Sequence, residues 1–253
     1  MKSIFITGAA SGIGRETARR FAREGWRVGL SDLDSPALAA LAHELSDAAR
    51  VHPADVADEQ GLRAAIADFC GAGGGLDALF NSAGILEMAL FAETDVARLR
   101  QIIEVNVNGV INGIHAAIPW LERRPGATIV TMGSVAGIYG VPEEAVYSAS
   151  KFAVRGLTEA LNIELDAKGI WVCDVMVAYV ATPMVENPQR KAKSVDILGV
   201  NVTANQVAQT VWSATHERRV HWFVTEADAA VAAQVDQTPW EDRAAIMRAI
   251  SGF

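Results

Sequence analysis

Cysteine, tyrosine and long apolar runs are all scarce in this 253-residue chain, and each shortage removes a class of protein. The two cysteines, Cys70 and Cys173, stand far apart without the paired spacing of a metal knuckle or a disulfide framework, so they read as buried or partly buried reduced thiols. Positive charge is short as well: 22 Lys and Arg face 30 Asp and Glu, the net charge is −8, and no basic block occurs. A nucleic-acid partner is disfavoured. No stretch approaches the roughly 18 uninterrupted apolar residues of a membrane span. The chain enters KSIFIT directly, without a charged n-region, an apolar run and a cleavage site, which predicts a soluble cytoplasmic protein with no membrane partner. His43, His52, His115, His216 and His221 never cluster at ligand spacing, and no metal is expected.

What is present is a core and a rhythm. Hydrophobic residues make up 51% of the chain, enough for one compact domain over 1–253. Short Val- and Ile-rich runs near 2–7, 26–31, 50–54, 76–81, 126–132, 170–177 and 220–225 read as strands. Between them, 12–24, 35–48, 59–71, 95–123, 145–168 and 204–217 carry apolar residues at helical spacing. Strand and helix in alternation give an α/β class, a Rossmann-type doubly wound parallel sheet of about seven strands with helices on both faces. The glycine tract at 71–75 reads as a helix end and loop, and 185–203, with its proline, charges and glycine, as a loop that covers a site. Trp26, Trp171 and Trp222 begin or lie in strands and are expected in the core.

The first strand runs into TGAASGIG, whose Gly8, Ser11, Gly12, Ile13 and Gly14 lie between strand and helix. Glycines there allow a sharp turn and close backbone approach to a pyrophosphate, whose charge meets free N–H groups at the positive end of the helix. A glycine turn alone is a weak signal; after a first strand and before a first helix it is a strong one. Asp32 closes the second strand, where a carboxylate accepts hydrogen bonds from an adenosine ribose and repels a 2′-phosphate. Neither Ser11 nor Leu33 is basic, so the expected cofactor is NAD rather than NADP.

Residues 145–151 read AVYSASK, and a helix brings Tyr147 and Lys151 onto one face. A free phenol has a pKa near 10, so a base made from Tyr147 needs a cation nearby. Lys151 supplies one, and a cation at about 4–6 Å can lower an acidic pKa by roughly 1–3. The same ammonium can also donate to ribose hydroxyls and fix the reacting ring. A lone pair of this spacing is more often a packed tyrosine and a solvated lysine; Ser134 at a strand end and the glycine turn shift the balance toward chemistry.

TGAASGIG, Asp55-Val56, NSAG at 81–84, VNVNG at 105–109, Ser134 and YSASK together resemble the compact short-chain dehydrogenase/reductase family, motif by motif over roughly residues 1–184. The resemblance implies that Tyr147 is the acid/base, Lys151 its activator, Ser134 the substrate's hydrogen-bond partner, and Asn106 the holder of a proton-relay water. It further implies that Asp55, Val56, Asn81, Ala83 and Gly84 line the adenine and ribose, and that Val180, Thr182 and Met184 flank the nicotinamide. Val177 and Ala178 stand where the family usually has Pro-Gly, which alters the backbone path there, and Ser82 replaces an asparagine.

The expected activity is an NAD-dependent alcohol dehydrogenase or carbonyl reductase acting on a small-molecule alcohol or ketone. Tyr139, Val141, Tyr179, Met184, Val185 and Leu198 would border the reactive carbon and suggest a mainly apolar substrate. Relatives imply a homotetramer or dimer that meets through the helices at 95–123 and 145–168. A sugar-nucleotide epimerase would need a longer chain, and a catalytically silent NAD-sensing protein of the same fold would not need an activated phenol.

Overall fold

The computed structural model describes every residue except 72–73 and 187–189. Nine strands occur among the described residues: β1 (Ser3–Thr7), β2 (Arg27–Ser31), β3 (Ala49–Val51), β4 (Ala78–Asn81), β5 (Thr128–Met132), β6 (Trp171–Met176), β7 (Val180–Ala181), β8 (Val202–Thr203) and β9 (His221–Phe223). Seven of them form one parallel sheet in the order β3-β2-β1-β4-β5-β6-β9, and β7 pairs with β8 alone. All seven predicted strands are in the large sheet.

Helices α1 (Gly12–Arg23), α2 (Ser35–Leu45), α3 (Glu59–Gly71), α4 (Val96–Ile103), α5 (Gly109–Leu121) and α6 (Ala145–Glu164) connect the first six sheet strands, and α9 (Ala204–Ala214) precedes the last. Side chains alternate strictly between the two faces of the sheet. Ile4, Ile6, Phe80 and Val130 pack with Phe21 of α1 and Val207 and Val211 of α9. Phe5, Leu79 and Ile129 point the other way, onto Ile66 and Phe69 of α3, Ile114 of α5 and Val154 of α6. Strands buried on both faces need continuous apolar runs, which is how they were visible in the sequence. Cys70 and Cys173 are free and buried, and Trp26 and Trp222 are buried as expected.

The order of the strands places the site. The chain winds outward from β1 to β3, then returns to set β4 on the other side of β1, so the connections leaving β1 and β4 part in opposite directions. That divergence opens a crevice at the carboxyl ends of the strands.

Three segments differ from expectation. The predicted 95–123 helix is α4 and α5 joined by a π turn at Glu104–Asn108. Within the predicted loop 185–203, of which 187–189 lie outside the described residues, the chain forms the end of α7 (Pro183–Glu186), α8 (Lys193–Leu198) and β8. Val185, Ala192 and Val195 are buried there against Met88 and Tyr179, so apolar residues scattered among charges hold the cover down. Beyond β9 the chain adds α10 (Glu226–Gln237), capped by Thr225, and α11 (Arg243–Ser251), neither of which was anticipated. In the glycine tract, Gly71 ends α3 and Gly74 has a left-handed φ of +71°, while 72–73 lie outside the described residues.

Candidate active site

The glycine turn is built for close approach. Gly8 has φ +68°, and a Cβ on it would stand 2.7 Å from the Ala83 nitrogen. A Cβ on Gly14 would sit 2.1 Å from the Gly8 carbonyl oxygen. A side chain at Gly8 would push the turn away from the chain leaving β4, and one at Gly14 would drive the first turn of α1 off the end of β1. Ser11 precedes α1 in extended conformation and its side chain does not cap the helix, which leaves the leading N–H groups for another acceptor. A groove runs from this turn along Asp32, Leu33, Asp55, Val56, Ala83 and Gly84 to Thr182 and Met184. Asp32 is oriented by two main-chain donors, Ala10 N–H at 3.1 Å and Asp34 N–H at 3.1 Å. The uncapped helix start, the side-chain-free turn and the oriented carboxylate fit a dinucleotide's pyrophosphate and ribose.

Asn81 is buried and lies beneath the groove rather than on it; its amide donates to Thr131 at 3.3 Å. Val180 is buried, and Thr182 donates to the Val180 carbonyl at 3.2 Å.

A second, largely apolar cavity opens at the far end of the groove. Ile13, Ser82, Gly84, Thr182 and Met184 line both spaces, so the two are continuous. Ser134, Tyr147 and Lys151 all line this cavity. Ser134 follows β5 and opens a short turn, where its Oγ accepts from Ala136 N–H at 3.1 Å and donates to the Val177 carbonyl at 3.4 Å. Tyr147 and Lys151 share one face of α6, with the Lys151 Nζ 5.4 Å from the Tyr147 ring centre. Burial lowers the Lys151 pKa to about 8, against a raising pull from Asp174.

The phenol behaves differently from the sequence argument. Burial pushes the Tyr147 pKa above the usual phenol range and the charge of Glu144 adds to the rise, while hydrogen bonding with Ser134 opposes it. The protein environment therefore disfavours the phenolate.

Asn106 lies in the π turn, buried. Its Oδ1 accepts from Ile85 N–H at 2.8 Å, and its Nδ2 donates to the Ile85 carbonyl at 2.9 Å and to Ser150 at 3.1 Å. The side chain ties the exit of β4 to α6 beside Lys151. Replacing Pro-Gly by Val177-Ala178 leaves strand pairing intact past the end of β6, since Val135 N–H donates to the Val177 carbonyl at 3.2 Å.

Tyr139, Val141, Tyr179, Met184, Val185 and Leu198 all line the cavity. Sequence reasoning missed Glu144, Ser194, Met247, Ile250 and Ser251, which line it too. The last three come from α11, and the period of RAAIMRAI was their available signal. Glu144 had none, because a Glu-Glu pair before a helix reads as solvated.

The comparisons agree with this geometry. The profile of the short chain dehydrogenase family matches residues 2–193. The chain belongs to the short-chain dehydrogenase/reductase family and is an oxidoreductase of that family. It is 40% identical to a sulfoacetaldehyde reductase of Chromohalobacter salexigens, over 68% of this chain and 70% of that one. It is 35% identical to a cyclohexanol dehydrogenase of an Acinetobacter species, over 73% of this chain and 75% of that one. Among solved structures, the 3-ketoacyl-(acyl-carrier-protein) reductase of Brucella melitensis complexed with NADH superposes with a TM-score of 0.79 at 29% identity, covering 88% of this chain and 96% of that one.

Proposed function

We propose that the protein is an NAD-dependent dehydrogenase or reductase that interconverts a secondary alcohol and its ketone. One observation carries the reading: Ser134, Tyr147 and Lys151 converge on a cavity that is continuous with the Gly8–Gly14 groove. NAD, when bound, supplies the hydride acceptor or donor. Gly8, Ser11, Gly12, Ile13 and Gly14 would hold its pyrophosphate, Asp32 and Leu33 its adenosine ribose, Asp55 and Val56 its adenine, and Thr182 and Met184 its carboxamide end.

Tyr147 takes the alcohol proton during oxidation and returns it during reduction, while Ser134 donates to the developing oxyanion. Lys151 uses one of its three N–H donors on the Met132 carbonyl at 2.8 Å, which leaves two for the ribose and the phenolate side. Asn106 keeps α6 in register with the exit of β4 and would hold a relay water from that position.

The cavity wall supports an apolar substrate. Lys151 is the one Lys or Arg among its described lining residues, and nothing there balances a sulfonate such as the Chromohalobacter relative's name implies. Exposed Val96, Ile103, Ile111, Phe152 and Ile163 on α4, α5 and α6 support a homo-oligomer, with a tetramer expected.

A panel of secondary alcohols, assayed with NAD and with NADP by absorbance of the reduced cofactor, tests the reading. Turnover with NAD on at least one alcohol is expected. Tight NAD binding with no turnover on any of them would point instead to a sensor.

A further inference from the structure

Glu144 is the one carboxylate among the described residues lining the substrate cavity. It occupies the position just before α6 and its side chain makes no capping hydrogen bond to that helix. It faces the cavity wall instead, 2% exposed. Its Oε1 accepts from the Tyr179 hydroxyl at 2.7 Å, and that hydroxyl also lies 2.7 Å from Ser194 Oγ on α8. Its Oε2 has no hydrogen-bond partner among the described residues. No Lys or Arg pairs with it: Arg190, on the covering segment, reaches the neighbouring Glu143 at 3.3 Å and Glu93 at 2.6 Å.

A buried carboxylate with one donor and no counter-ion is costly, and the cost is relieved either by a proton or by a donor or cation bound beside it. A merely structural tie between α6 and α8 would be made as well by a neutral amide. Burial raises the Glu144 pKa to about 7, with the Tyr179 hydrogen bond opposing and Glu143 adding, so the carboxylate is available above that pH. Burial raises Tyr147, Tyr139 and Tyr179, and the Glu144 charge adds to each rise.

We propose that Glu144, oriented by Tyr179 and Ser194, is a specificity-determining residue that selects alcohols or ketones carrying a second hydrogen-bond donor, an ammonium or a hydroxyl, and rejects anionic ones. The inference rests on the oxidoreductase reading of the same cavity. The donor would meet Oε2 while the reacting carbon sits between Ser134 and Tyr147. An ammonium gains most, because it also offsets the buried charge.

The test compares four probes of one shape: cyclohexanol and its 3-amino, 3-hydroxy and 3-carboxylate derivatives, with NAD at pH 8, where the amine is protonated. In the wild type, kcat/KM is expected to be about tenfold higher for the amino alcohol than for cyclohexanol, with the diol between them and the carboxylate at least about tenfold below. Glu144→Gln keeps an acceptor for Tyr179 but removes the charge. It is expected to cut the amino alcohol's advantage about tenfold, to leave the diol's advantage within about threefold, and to raise the carboxylate relative to cyclohexanol. NAD-dependent oxidation of cyclohexanol that is lost in Tyr147→Phe, with probe ratios equal in wild type and Glu144→Gln, would overturn this inference alone. No turnover of any probe by the wild type would overturn it together with the secondary-alcohol reading.

Discussion

Lys151 donates a 2.8 Å hydrogen bond to the carbonyl of Met132 at the end of β5, and the same Nζ stands 5.4 Å from the centre of the Tyr147 ring. A strand end thus aims a helix side chain at its neighbour one turn away. Lys151→Met removes the ammonium beside the phenol and leaves the buried Met132 carbonyl without its donor. Turnover is expected to fall by at least about 10²-fold and NAD affinity to weaken, as measured by initial rates and by titration of cofactor fluorescence. Activity within a few-fold of wild type would show that the phenol needs no ammonium.

Asp32 lines the groove with its oxygens held by the N–H groups of Ala10 and Asp34, where we place the adenosine ribose. A fixed anion at that place repels a 2′-phosphate, so kcat/KM is expected to favour NAD over NADP by at least about tenfold. Replacing Asp32 by Ala and Leu33 by Arg together should narrow or reverse the ratio. Equal use of both cofactors by the wild type would refute the assignment.

Gly14→Ala places a methyl group 2.1 Å from the Gly8 carbonyl oxygen, which the backbone must move to accept. Overpacking of this kind costs roughly 1–3 kcal/mol. A thermal melt should drop by several degrees, and NAD should no longer raise the melting temperature. A variant that melts like the wild type and still responds to NAD would contradict the cradle.

The Glu144 carboxyl is raised from an ordinary value of 4.5 to about 7 by burial. The folded protein therefore holds a proton that the unfolded chain has lost between those values, and stability falls as pH rises through 7. The shift corresponds to at most about 3 kcal/mol. Urea unfolding between pH 5 and pH 8 should show the wild type losing that much more stability than Glu144→Gln, in which the group cannot titrate. Parallel curves for the two proteins would mean that Glu144 is ionised in the fold at low pH.

Much of this was legible because burial on both faces of a parallel sheet forces uninterrupted Val and Ile runs, and because TGAASGIG and YSASK each carry chemistry within one local stretch. What escaped depended on tertiary context. Asn106 sits in a π turn that its helical pattern does not distinguish from an ordinary turn. Glu144 and Ser194 meet at Tyr179 only after α8 folds over the cavity, and neither residue type announces burial. The spacing of Tyr147 and Lys151 predicts a depressed phenol, whereas burial and Glu144 raise it.

The most direct test is Tyr147→Phe, which removes one oxygen from the cavity wall and nothing from the glycine turn. Its NAD affinity is expected to stay within about threefold of wild type while turnover of the best alcohol falls by at least about 10²-fold. Turnover within tenfold of wild type, with NAD still bound, would contradict proton transfer by this phenol and with it the proposed activity.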